Sequence, residues 1–230
     1  VESNYFVACV LSPESKNMIT SMWTQLNQIK KGQSRPKGFE RQTVNKVAVL
    51  GAGMMGAGIA YVAAKAGIDV VLLDTSIENA NQGKQYSEKL LDKAISCGRS
   101  NATKKAALLS KIQTTTSYND IAGCDLVIEA VFENRDIKAK CTEQAEAIIP
   151  ESAVYASNTS TIPITSLAVA SKRPTQFIGL HFFSPVDKMP LVEIIMGAQT
   201  DDATLAKAFD FVLQIGKTPI VVNDSRGFYT

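Results

Sequence analysis

The stretch KVAVLGAGMMGAGIAYVAAKAGIDVVLLD (46–74) decides the fold. KVAVL (46–50) is a short apolar run of the kind that forms a strand buried on both faces. Gly51-Ala52-Gly53-Met54-Met55-Gly56 follows it, and MMGAGIAYVAAKAG (54–67) is predicted as a helix. DVVLLD (69–74) is the next strand, closing on Asp74. In such a strand–turn–helix–strand unit the first glycine, Gly51, permits the tight turn. The second, Gly53, lets the main chain approach a pyrophosphate, and the third, Gly56, allows close packing of helix on strand. The helix N-terminus stabilises the phosphate charge.

Asp74 stands where a carboxylate can grip both hydroxyls of a ribose. The same carboxylate repels a 2′-phosphate, and TSIEN (75–79) holds no arginine to receive one. NAD is therefore the expected cofactor rather than NADP.

Downstream the alternation continues. Helices are predicted over 76–97 and 103–111, then a weaker strand at IQTTT (112–116) and a strand at DLVIEAV (125–131). A helix over 136–149, strands at AVYAS (153–157), FIGLHF (177–182) and LVEIIM (191–196), a helix over 202–215 and a strand at TPIVV (218–222) complete the pattern. The expected fold is α/β: a Rossmann-type, doubly wound, mostly parallel sheet over residues 43–225, with helices on both faces. Residues 1–42 read as a helical linker. Ser12 is a candidate N-cap and Pro13 suits the first turn. Met18, Ile19, Met22, Trp23, Leu26 and Ile29 recur at helical spacing, and GQSRPKG (32–38) reads as an exposed connector.

Composition excludes several function classes. The chain has 230 residues, 45% of them hydrophobic, enough for a sizeable core. Its net charge is +2, and no basic block suggests nucleic acid as a partner. The uncharged run 47–64 approaches the length of a membrane span, but its four glycines fit a strand, turn and helix better. The four cysteines are far apart and lack metal-ligand spacing, so no metal is expected and the thiols suit a reducing, cytoplasmic compartment.

The single histidine, His181, ends the apolar run QFIGL, and Glu193 interrupts the apolar run LVEIIM. A carboxylate buried in such a run needs a partner, and the imidazole is the obvious one. A histidine held by a carboxylate is a ready general base. Taken alone, His181 is more simply a structural residue, Glu129 a strand-terminal charge and Asn158–Thr161 ordinary turn polarity. Ligands in this fold lie beyond the carboxyl ends of the strands, however. EAVFEN (129–134), SNTST (157–161) and His181 all fall at such ends.

GAGMMGAGIA, EAVFEN, ASNTSTIPI, GLHFFSPVDKMPLVEII and GKTPIVVNDSRGFYT together resemble the L-3-hydroxyacyl-CoA dehydrogenases over residues 43–230. The resemblance is greatest to multifunctional fatty-acid β-oxidation enzymes, in which an enoyl-CoA hydratase (lyase) domain precedes the dehydrogenase. It implies NAD-dependent oxidation of (S)-3-hydroxyacyl-CoA to 3-ketoacyl-CoA. It makes His181 the catalytic base, Glu193 its orienting partner and Ser160 a contact of the substrate hydroxyl and nicotinamide. Gly51, Gly53, Met55, Gly56, Asp74, Val131, Phe132, Glu133, Lys138, Ser160 and Ser184 become cofactor contacts. Some relatives have asparagine at the Ser184 position, and a serine keeps only part of that hydrogen bonding.

By the same resemblance, residues 1–31 are a connector from a hydratase domain. A helical domain that completes the acyl-CoA site and forms oligomer contacts is expected to begin within 226–230, with the family's substrate-contacting asparagine beyond Thr230. The start at Val1 and the stop after GFYT accord with a piece of a longer protein. The alternatives are a catalytically silent NAD-binding module, or a different hydroxyacid dehydrogenase on the same fold with a lysine base.

Overall fold

A computed structural model describes residues 1–229. It divides into two compact units, residues 1–35 and the chain from Pro36 onward. In the first, α1 (Glu2–Leu11) is followed by α2 (Pro13–Met18), a π-helical stretch (Ile19–Gln25) and α3 (Leu26–Lys30). Ser12 is the N-cap of α2, its hydroxyl accepting the Ser15 N–H at 3.1 Å. The expected helix is present. α1 is an addition to it, and none of its residues is buried.

The second unit is an eight-stranded sheet in the order β3-β2-β1-β4-β5-β6-β7-β8. Its strands are β1 (Lys46–Leu50), β2 (Asp69–Leu73), β3 (Ile112–Thr115), β4 (Leu126–Glu129), β5 (Val154–Ser157), β6 (Phe177–Phe182), β7 (Leu191–Met196) and β8 (Thr218–Val222). All neighbours pair in parallel except β6 and β7. The first six strands have the doubly wound order 3-2-1-4-5-6, which reverses between β1 and β4. In a doubly wound sheet, ligands bind beyond the strand ends at such a reversal.

Helices α4 (Met54–Lys65), α5 (Ile77–Ser96), α6 (Ala102–Ser110), α7 (Arg135–Glu146), α8 (Ile164–Leu167) and α9 (Asp202–Gln214) cover the sheet. Polar residues cap four of them: Ser76, Asn101, Asn134 and Asp201 each accept first-turn amides. The core follows from the apolar strands, since Val47–Leu50, Leu126–Ile128 and Ile178 are fully buried. Residues ahead of β1 are tied to this unit: Gln42 N–H donates to Asp210 and Val44 N–H to Gln214. The run 47–64 resolves into β1, the glycine turn and most of α4. No helix among the described residues is long and apolar enough to cross a membrane.

Candidate active site

The glycine turn sits at this reversal. Gly51 has φ +95°, and a Cβ there would lie 2.7 Å from the Ala130 carbonyl oxygen, so the loops after β1 and β4 meet only because it is glycine. A Cβ on Gly56 would fall 1.8 Å from the Gly51 oxygen, so the helix packs directly on its own turn. Gly53 is the N-cap of α4, and a Cβ there would meet nothing within 4 Å. Its carbonyl accepts the first helical hydrogen bond, from Ala57. The amides of the first turn have no intrahelical acceptor.

Asp74 follows β2 and is joined to this turn, its Oδ2 accepting the Ala52 N–H at 2.7 Å. Its Oδ1 accepts from Thr75 N–H and from the Asn79 amide. Partial burial would raise its pKa, but these donors more than offset burial and hold the carboxyl below its ordinary value.

At the end of β4 two carboxylates share one ammonium. Lys138 Nζ, on α7, donates to Glu129 Oε1 at 2.8 Å and Oε2 at 3.1 Å, and lies 3.2 Å from Glu133 Oε2. Glu129 and Lys138 are 1% and 2% exposed, so neither charge could stand there alone. Glu133 Oε1 accepts the Thr159 hydroxyl, the Ser160 and Thr161 amides at 3.1 and 3.2 Å, and the Thr161 hydroxyl. Burial works to raise the Glu133 pKa. The Thr159 hydroxyl and the Lys138 charge outweigh it and hold the carboxyl below its ordinary value.

His181 and Glu193 face each other across the antiparallel β6–β7 pair, directly opposite in register. The side chains of opposed residues share one face of a sheet. Nδ1 of His181 lies 2.6 Å from Glu193 Oε2, and the residues are 8% and 0% exposed. A carboxylate only accepts hydrogen bonds, so Nδ1 carries the hydrogen, and in the neutral imidazole Nε2 presents a lone pair. Glu193 Oε1 accepts the Tyr229 N–H at 3.3 Å. The rings of Phe183 and Phe228 lie 4.7 and 5.7 Å from the imidazole and limit the water around it.

The residues expected from sequence therefore gather along one edge of the sheet. Gly51 to Gly56 follow β1, and Asp74 follows β2. Val131, Phe132 and Glu133 follow β4, Ser160 follows β5, His181 and Ser184 lie at the end of β6, and Glu193 lies near the start of β7. The loops are joined to one another: Phe182 N–H donates to Asn158 Oδ1 at 2.9 Å, and the Ser184 hydroxyl reaches Met54 Sδ at 3.7 Å. Gly58 lies against Val186, which seats the loop after β6 on α4. Phe132 is 85% exposed and projects from this edge. Val131 donates its N–H to Glu129. Glu129 and Asn158, which read as ordinary polarity only when each is taken alone, organise these loops, as their positions at strand ends suggest.

Comparison with known proteins places the chain. Residues 46–225 match the family model for the NAD-binding domain of 3-hydroxyacyl-CoA dehydrogenase. The chain belongs to this family. Among solved structures, the (S)-3-hydroxybutyryl-CoA dehydrogenase of Ralstonia eutropha is 42% identical with a TM-score of 0.79, over 82% of this chain and 66% of that one. The 3-hydroxybutyryl-CoA dehydrogenase of Escherichia coli is 34% identical with a TM-score of 0.78, over 81% of this chain and 39% of that one. The dehydrogenase part of multifunctional enzyme 1 from C. elegans is 25% identical with a TM-score of 0.73, over 87% of this chain and 48% of that one. The chain thus spans less than two thirds of the length of each of these three structures.

The cofactor of this domain is NAD, and the residues present fit it. The open space over Gly53, which any larger side chain would fill, adjoins amides with no helical acceptor. Asp74 stands at the end of β2 with its carboxylate beside that turn, the place of the ribose-binding acid in this fold.

Proposed function

We propose that this chain is the dehydrogenase domain of an enzyme that oxidises (S)-3-hydroxyacyl-CoA to the 3-ketoacyl-CoA. The observation that carries the reading is the His181–Glu193 pair, held at 2.6 Å on the same edge as the glycine turn. When bound, NAD supplies the hydride acceptor. His181 Nε2 takes the proton of the substrate 3-hydroxyl. Glu193 fixes the tautomer that leaves Nε2 available and stabilises the imidazolium that forms. Ser160 orients the hydroxyl oxygen. The glycine turn, Asp74 and the segment Val131–Glu133 hold the dinucleotide, with Lys138 and Ser184 beside it. Asp74 disfavours a 2′-phosphate.

The wider assignment is a domain of a multifunctional fatty-acid β-oxidation enzyme of the cytoplasm. A hydratase domain would precede it, and a helical domain completing the acyl-CoA site would follow it. The likeness to the dehydrogenase part of multifunctional enzyme 1 supports this assignment, and four free cysteines accord with a reducing compartment.

The test is the reduction of acetoacetyl-CoA by NADH in the full-length protein, followed as loss of NADH absorbance. Turnover is expected, and its absence in folded, NADH-binding protein would refute the reading. Glu193→Gln keeps the volume of the side chain but removes the acceptor charge that sets the imidazole. Its kcat should fall about 100-fold or more, with NAD affinity little changed. Wild-type rates in this variant would remove Glu193 from the reaction.

A further inference from the structure

The cluster at the end of β4 does more than hold a helix on a sheet. We propose that Glu129 is a positioning residue for the Ser160 loop, acting through Lys138 and Glu133. The proposal rests on the role given to Ser160 above.

Glu129 is the last residue of β4, directly opposite Ser157, the last residue of β5. Its Oε1 accepts from Val131 N–H and Lys138 Nζ, and its Oε2 accepts from the Ser157 hydroxyl and Lys138 Nζ. All the acceptor sites of the carboxylate are in use, which fixes its orientation. Its carbonyl also accepts the Asn158 N–H at 2.8 Å. One buried residue thereby holds the start of the loop after β4 and the start of the loop after β5.

A purely structural ion pair would be complete with Glu129 and Lys138. Here the ammonium also reaches Glu133 Oε2, so that carboxylate is set from behind while its Oε1 gathers four donors from residues 159–161. Two of those donors are the main-chain amides of Ser160 and Thr161. The placement of the Ser160 backbone therefore depends on where Lys138 holds Glu133, and the placement of Lys138 depends on the Glu129 charge. Glu129→Gln keeps the shape but removes that charge. The ammonium then has one full carboxylate partner instead of two and shifts toward Glu133.

The experiment is hydrogen exchange at residues 159–161 of the full-length protein, together with a double-mutant cycle of Glu129→Gln and Lys138→Met. Glu129→Gln should speed exchange of the Ser160 and Thr161 amides about tenfold while β1 and β2 keep their protection. It should lower kcat about tenfold, since misplacement of one reacting group costs rate, and NAD affinity should fall with it, because Val131, Glu133 and Lys138 border the dinucleotide. The effects of the two substitutions on kcat should be strongly non-additive, because each breaks the same relay. Wild-type exchange at Ser160 and Thr161 in a folded Glu129→Gln protein, or additive losses in the cycle, overturns the proposal. If Glu129→Gln fails to fold, Lys138→Met decides by the same exchange measurement, unchanged loop amides again overturning it. Exchange is measured without substrate. A protein that turns nothing over but shows the loop response refutes the dehydrogenase reading alone, whereas an unresponsive loop in an active protein refutes the relay.

Discussion

His181→Ala in the full-length protein is expected to lower kcat for 3-hydroxyacyl-CoA oxidation by about 10²- to 10⁴-fold, the range a positioned general base contributes. NAD affinity should stay within about threefold of wild type, because uniform cofactor binding does not depend on a group that acts on the substrate proton. The imidazole touches Glu193, Phe183 and Phe228, and none of these belongs to the glycine turn. Alanine also leaves Glu193 buried without the imidazole, with Tyr229 N–H as a remaining donor, so some loss of stability accompanies it. His181→Gln separates the two effects, since its amide can still donate to Glu193 but cannot accept the proton. Both variants should be inactive, and the glutamine variant should keep more of the wild-type stability. Loss of NAD binding in the folded glutamine variant, or retention of turnover, would sink the assignment.

Gly56→Ala is the second substitution with a large expected effect. The new Cβ would sit 1.8 Å from the Gly51 carbonyl oxygen and 3.3 Å from Val49 Cγ1. The oxygen is main chain and cannot rotate away, so the turn itself must move. We expect the unliganded protein to lose about 1–3 kcal/mol of stability, as overpacked sites do, and NAD affinity to fall at least about 100-fold if the displaced turn cradles the pyrophosphate as proposed. Gly53→Ala provides the contrast. Its φ of −65° suits alanine and the space around it is open, so the unliganded protein should lose no more than about 1 kcal/mol, the cost of a poorer N-cap. Its NAD affinity should nevertheless fall. Calorimetric titration with NAD and chemical denaturation of the two variants check both statements. Equal loss of stability in both would contradict the distinct roles given to the two glycines.

Much of this site was legible in the sequence because its determinants are local. Gly51, Gly53 and Gly56 lie within six residues, Asp74 closes the next strand, and an apolar strand-like run precedes each. The His181–Glu193 pairing was legible for a different reason: a carboxylate among Leu191, Val192, Ile194 and Ile195 demanded a partner, and only one histidine exists. The direction of β7 was not legible, because an apolar run such as LVEIIM reads the same for a parallel or an antiparallel strand. Helix α1 left no burial pattern to detect, since Tyr5, Phe6, Val10 and Leu11 are all exposed. The partner of Glu129 was not legible, because Lys138 lies on another element, nine residues on, and only the packing of α7 brings it beneath the carboxylate. The role of Glu133 was legible only as a family likeness. The four donors that converge on it come from a loop 26 to 28 residues away.

The antiparallel pairing of β6 with β7 has one further consequence. LVEIIM could lie beside FIGLHF in several alignments with nearly equal apolar contact. A shift of one position would turn Glu193 to the opposite side of the sheet from His181, since strand side chains alternate. A shift of two would set His181 against Leu191 or Ile195. Each error strands a carboxylate in the core, at a cost of several kcal/mol, and only the observed alignment avoids it. The proposed base and the carboxylate that orients it thus also discriminate against misfolded alternatives, and a chain carrying apolar residues at both positions would give up that discrimination.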